Sequence, residues 1–208
     1  MDMTKRRLLN FAAALPALLA IPGCQLVGSG PPPREFRLTP KSSFSDQLQK
    51  VDWSLGVSLP RADRSIDTDR IVRLTGGIEL EPYANVAWAN RPTPMIQTLI
   101  LQSFQNSGAI DLVVDDRSDI RPDMVLRTAL REFQAEHVDA GPPEIRVALD
   151  ARLLEMPKRK VLDSEIFDRT VVAVGNNIEA IIAAFDQALG KALKALVEWT
   201  LTTGEGAR

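Results

Sequence analysis

The sequence predicts a single α+β domain, a curved and mostly antiparallel sheet with two helices packed on one face. Three observations lead there. Residues 144–155 alternate, with Ile145, Val147, Leu149, Ala151 and Leu153 on one side and Glu144, Arg146, Asp150 and Arg152 on the other. One dry face and one wet face is the habit of antiparallel sheets. Two apolar stripes recur at helical spacing, near residues 95–104 and 178–199, and the order strands, helix, strands, helix fits helices gathered on one side of a sheet.

The elements follow in order. Residues 35–39 and 53–59 alternate, placing Phe36 with Leu38, and Trp53 with Leu55, Val57 and Leu59; Pro60 stops the second run. Residues 70–74 and 83–88 read as a further strand pair, with Gly76-Gly77 and Pro82 between them. A helix is expected after Thr93 as N-cap, with Pro94 at its first position, because proline's missing N–H costs nothing there. Its stripe is Met95, Ile96, Leu99, Ile100 and Phe104, and Ser107-Gly108 ends it. Residues 109–114 form a short apolar strand, and three long strands are expected at 124–136, 144–155 and 161–174. A last helix spans about 177–202, with Ile178, Ile181, Ile182, Phe185, Leu189, Ala192, Leu196 and Trp199 on its apolar side. The same residues can be read as a heptad seam, but Ala192 weakens it, and covering the sheet is the preferred role.

Composition narrows function. The chain has 208 residues, 25 Lys+Arg, 27 Asp+Glu and a formal charge of −2, which leaves no basic excess for nucleic acid phosphates. One Cys cannot form an internal disulfide and one His cannot build a multi-histidine metal site. His137 stands before a turn without a G-x-S-x-G elbow, so a turn histidine is expected. Asp115, Asp116 and Asp119 lack calcium-loop spacing and lie among Arg117 and Arg121; a solvated turn is the better reading. No Lys-Ser/Thr follows Gly76-Gly77, so no phosphate cradle is expected. Lys158-Arg159-Lys160 reads as a charged hairpin turn. No catalytic residue, metal or cofactor is expected, and the protein is read as a non-enzyme.

The N-terminus reads as a targeting segment. Lys5, Arg6 and Arg7 precede an uncharged run, residues 8–21, about 20 Å of helix against the ~30 Å of a hydrocarbon core. That is a signal peptide, residues 1–23, rather than a span. Ile21-Pro22-Gly23-Cys24 resembles a bacterial lipobox, with Pro22 departing from its usual choice. Cys24 is therefore the expected site of lipid attachment (diacylglycerol and palmitate-type acyl chains), and two or more chains anchor stably where one does not. Gln25 in place of Asp after the Cys resembles the sorting signal for the outer membrane. Residues 24–33 form the acylated Cys and a Gly/Pro tether, residues 34–202 the folded domain, and residues 203–208 a flexible tail.

The stretches Leu55-Gly56-Val57-Ser58-Leu59-Pro60, Asp69-Arg70-Ile71-Val72-Arg73 and Tyr83-Ala84-Asn85-Val86-Ala87-Trp88-Ala89-Asn90-Arg91-Pro92-Thr93-Pro94 carry a family resemblance, with Phe133 and the long last helix in support. The chain resembles the ABC-type transport auxiliary lipoproteins, the group of paraquat-inducible protein C and the auxiliary parts of MCE-type lipid transporters. Phe36 departs from that family, in which the opening residue is usually Tyr. The resemblance implies a periplasm-facing outer-membrane lipoprotein that docks a lipid conduit, with an MCE-domain protein as partner and a homo-oligomeric ring as an assembly some relatives adopt. An outer-membrane assembly lipoprotein of similar fold, not tied to a transporter, is the alternative. Tyr83 and Trp88 are candidates for partner contact or, preferentially, for core aromatics.

Overall fold

The structure, a computed structural model, describes residues 31–45, 48–115, 117–137 and 141–207. Its centre is a three-stranded antiparallel meander: β7 (Met124–His137), β8 (Glu144–Glu155) and β9 (Lys160–Val172). In β8 the alternation is realised residue by residue, with Ile145, Val147, Leu149, Ala151 and Leu153 all fully buried. On its other side β7 meets three short strands in succession, all parallel to it: β2 (Leu55–Val57), β3 (Arg61–Ala62) and β4 (Arg70–Thr75). β6 (Val113–Asp115) continues beyond β2, and β5 (Glu79–Trp88) and β1 (Arg34–Phe36) continue beyond β4. The sheet is thus mixed. Its long ladders are antiparallel, and the short additions at β1, β2, β3 and β6 pair in parallel.

Helix α2 (Ile178–Gly206) covers β8 and β9, and α1 (Pro92–Ser107) packs beside it against β2 and β6. At about 1.5 Å per residue α2 is roughly 43 Å long. Asn177 caps it by accepting from the Ala180 N–H at 2.8 Å. The stripe lies on the sheet as expected, with Ile181, Phe185, Leu189, Ala192 and Leu196 buried, while Ile178, Ile182 and Trp199 are half-buried at its margin. Trp199 donates its indole N–H to Asp163 of β9 at 3.0 Å.

Four sequence expectations are corrected. The first residue of α1 is Pro92, not Pro94, and Arg91 is the N-cap, with no capping bond from its own side chain. The cap comes from Asp67, whose carboxylate accepts from the Thr93 N–H at 3.1 Å and the Thr93 hydroxyl at 3.0 Å and pairs with Arg91. Pro92 and Pro94 remove two of the unsatisfied first-turn donors, so the Thr93 N–H is the one left to satisfy. Leu59 does not follow Trp53, Leu55 and Val57 inward; it is half-exposed because the strand ends at Val57. The 109–114 strand is shorter and later, at 113–115, with Ile110 making only an isolated bridge to Val51. Residues 203–206, expected to trail as a tail, continue α2, and Gly204 is buried.

Gly204 sits against the ring of Trp53, itself almost wholly buried. A Cβ on Gly204 would lie 2.4 Å from Trp53 Cζ2. Gly204→Ala is therefore expected to lower stability, because overpacking costs about 1–3 kcal/mol against a helix-propensity gain of up to about 1 kcal/mol. A urea-denaturation midpoint below that of the wild type checks this.

Candidate functional site

Cys24 lies outside the described residues. The two aromatic candidates stand in different surroundings, and the strand that carries both explains why. Between β4 and β5 the register runs from Arg70↔Ala87 to Val72↔Pro82, so β5 bulges over residues 83–86, with Asn85 in the left-handed region at φ 59°. Asn accepts that conformation more readily than most residues. Past the bulge, Trp88 enters the core and Tyr83 stays at its margin.

Trp88 is 3% exposed and forms a triangle of rings with Phe133 of β7 and Phe185 of α2, with centroids 5.2 to 5.3 Å apart. The Trp88–Phe185 pair is edge-to-face at 84°, the arrangement ring quadrupoles favour. Trp88 is thus a core aromatic that joins three elements, and its ring offers no surface to a partner.

Tyr83 is half-buried, and its hydroxyl lies 2.6 Å from Nε2 of His137. With the His137 proton on Nδ1, Nε2 accepts a hydrogen bond from the phenol hydroxyl, which keeps its proton. The Arg73 guanidinium lies over the Tyr83 ring at 5.8 Å and is held from below by Glu81, at 2.8 Å. Burial raises the Tyr83 phenol to about 12, opposed by the Arg73 charge. Burial, and then Arg73, lower His137 below its ordinary value. The geometry is a positioning contact between the β4–β5 hairpin and the end of β7. The expectation of a turn histidine missed this partner. The signal was available in the sequence: Phe133, Ala135 and His137 share one side of an alternating strand.

The sheet's other face is wet and internally paired. Arg146 binds Asp168 at 2.8 Å and approaches Glu136 at 4.0 Å, and Asp150 lies between Arg131 and Arg152. The hydrogen bond from Arg146 holds the Asp168 carboxyl below its usual range. A shallow depression of about 460 Å³ opens on this face, lined by Arg61, Arg127, Arg152 and Asp150 among others. Leu59, Leu154 and Val161 add apolar surface beside these charges. Asp115 accepts from the Arg117 N–H at 2.9 Å, a local turn contact; Asp116 lies outside the described residues. Among the described residues no group of three or more His, Cys, Asp or Glu side chains is placed to hold a metal ion.

The fold defines a class first: a small α+β module with two helices packed on a mixed sheet around one apolar core. The chain belongs to the family of ABC-type transport auxiliary lipoprotein components, whose model matches residues 36–197. Its fold is similar to that of a crystallised protein from Xanthomonas campestris, 30% identical, with a TM-score of 0.79 over 83% of this chain and 97% of that one. The crystal structure of an uncharacterized protein, 10% identical, shares the fold alone, with a TM-score of 0.62 over 80% and 97% of the two chains. A protein of Bradyrhizobium diazoefficiens, also uncharacterized, is 23% identical over 184 residues, which is 85% of this chain and 48% of that protein. The chain thus spans about half the length of that curated relative.

Two predictions follow from the aromatic sites. Trp88→Ala is expected to cost about 3–5 kcal/mol, the range for deleting a large buried ring, measured by denaturant titration, whereas Tyr83→Phe removes one hydrogen bond, worth about 0.5–1.5 kcal/mol. The second concerns pH. A histidine with a depressed folded value stays neutral in the folded state while the unfolded chain takes up the proton. Stability is therefore lost as pH falls from the ordinary value of 6.5 through the folded one. Between pH 8 and 5 the denaturation midpoint of the wild type should fall more steeply than that of His137→Gln; equal slopes would exclude this contribution.

Proposed function

We propose that the protein is a non-enzymatic auxiliary lipoprotein of an MCE-type ABC lipid transport system, acylated at Cys24 and docking the periplasmic lipid conduit to the outer membrane. The observation that carries this reading is the family match over residues 36–197, which begins twelve residues after the lipobox-like Cys24. Residues 1–23 act as the export leader, and their loss takes the formal charge from −2 to −4 as three basic groups and one acid leave. Residues 24–33 then tether the domain.

The domain's physical character supports an adaptor rather than a carrier. A lipid in water exposes its acyl chains, so a conduit must meet its destination without a wet gap. A carrier needs an enclosed apolar cavity for those chains, and the depression on the wet face is open and mixes Arg61, Arg127, Arg152 and Asp150 with Leu59, Leu154 and Val161. Lipid would then pass through a channel that the partner, or a ring of copies of this chain, encloses. The MCE-domain protein is the expected partner and a homo-oligomeric ring the expected assembly.

The test is co-purification from detergent extract of membranes carrying the tagged full-length chain. Recovery of an MCE-domain protein is the expected result; a chain that returns alone, or only with outer-membrane assembly factors, overturns the reading. In the same membranes Cys24→Ser should move to the soluble fraction and lose metabolic palmitate label. A variant that stays membrane-bound and labelled would contradict acylation at this residue.

A further inference from the structure

Among the described residues, the two large apolar side chains with the greatest exposure are Ile78, at 92%, and Val174, at 93%. Single exposed aliphatics need no explanation, but these two lie at one end of the domain. Ile78 follows the Gly76-Gly77 turn that joins β4 to β5. At that end Thr75 pairs with His137, Glu136 with Glu144, and Glu144 with Val172, so the turn and the end of β9 are a few strand spacings apart. The Ala173 N–H donates to Pro143, and Val174 projects just beyond. Leu80 and Val172, also exposed, are two residues from the two tips.

The chain leading into the domain comes from this same side. Because β1 is parallel to β5, it runs in from the side where β5 begins, and Arg34 joins opposite Val86, level with the start of β4. Arg34 binds Glu179 in the first turn of α2 at 2.7 Å, which places the entry at the helix's N-terminal end. Lys158 and Lys160 mark the opposite end, where the β8–β9 turn meets Thr203 and Gly206 of α2.

We propose that the entry end of the domain rests on the bilayer and dips Ile78 and Val174 into the headgroup layer of a zwitterionic lipid surface. This rests on acylation at Cys24. Ten residues separate Cys24 from Arg34, at most about 35 Å of extended chain, which readily lets this end touch the membrane. Inverting the domain, to press Lys158 and Lys160 onto the same bilayer, would ask the tether to run the length of a helix of about 43 Å, beyond its reach of about 35 Å. Charge selects the lipid: Glu79, Glu81, Glu136, Glu144 and Glu179 outnumber Arg34, Arg73 and Arg146 at the entry end, so an anionic surface gains no attraction there.

The test uses the full-length, exported protein in phosphatidylcholine vesicles, with a polarity-sensitive dye on Ile78→Cys, Val174→Cys or, at the far end, Arg159→Cys. Mass spectrometry of the N-terminal peptide and vesicle flotation report the anchor separately. The expected result is that labels at 78 and 174 are quenched severalfold more by nitroxide lipid than the label at 159, and are shielded from iodide. If a chain that floats keeps either tip label as open to iodide as position 159, the proposal fails and the anchor stands. Shielding from both quenchers would mean that a protein surface covers the tips, and would also overturn it. Shielding that required added anionic lipid would overturn the zwitterionic assignment. A chain without acyl mass that does not float overturns the anchor and this proposal together.

Discussion

The structure depends on one constraint: the dry face of the β7–β8–β9 meander must be covered along its whole length, and a single helix covers most of it. The fully buried residues of β8 alone span five successive inward positions, more apolar surface than a short helix reaches. α2 meets that demand with a ridge of small residues. Ala180, Ala184, Ala188 and Ala192 recur every four positions, all buried, and Gly204 repeats the spacing further on. Small side chains bring the helix axis close to the sheet, so that the larger neighbours Phe185, Leu189, Leu193 and Val197 reach between strands. The Trp88–Phe133–Phe185 triangle stands where β5, β7 and α2 meet, and so ties the β4–β5 hairpin into the same core.

What the sequence made legible was what is written in local period. The limits of β8 at Glu144–Glu155 and the inward set on it follow directly from alternation, and so does the helix that covers them. The fold class follows from the order of these elements. What stayed hidden depends on residues far apart in the chain. The cap on α1 comes from Asp67, 26 positions before Thr93, and no pattern near Thr93 announces it. β3 is two residues long and exists only because β7 offers it an edge. Parallel pairing of β1, β2 and β3 leaves no turn signature, since parallel neighbours are joined by long connections. The site divides the same way: Trp88 was readable as a core aromatic, whereas the hydrogen bond of Tyr83 to His137 spans 54 positions.

The two faces of the sheet divide the work. The dry face is consumed by packing. On the wet face the ions are spent on one another: Gln134 donates to both Glu132 and Glu136, and Arg146 adds Asp168. Exposed pairs of this kind contribute little stability, about 0–1 kcal/mol each. What they fix is the geometry of the face, holding its charges in place against one another rather than leaving them free in solvent.

The proposed acylation at Cys24 would make mechanical demands that an untethered domain does not face, and residues 34–45 are fastened in a way that would meet them. Load from such an anchor would arrive at Arg34, where β1 pairs with only three residues of β5 and the Arg34–Glu179 bridge is largely exposed. Neither alone resists much. The chain then runs across both helices and is fastened repeatedly. Asp186 of α2 accepts from the Thr39 N–H at 2.6 Å and from its hydroxyl, Ser103 of α1 accepts from the Lys41 N–H at 3.0 Å, Asn106 donates to the Lys41 carbonyl, and Glu198 of α2 accepts from the Ser45 N–H at 3.0 Å. Leu38 is buried beneath this strap. A pull at the tether is thereby distributed to both helices, and through α2 to the meander. The element that completes the core is thus also the one to which the entering chain is most firmly fastened.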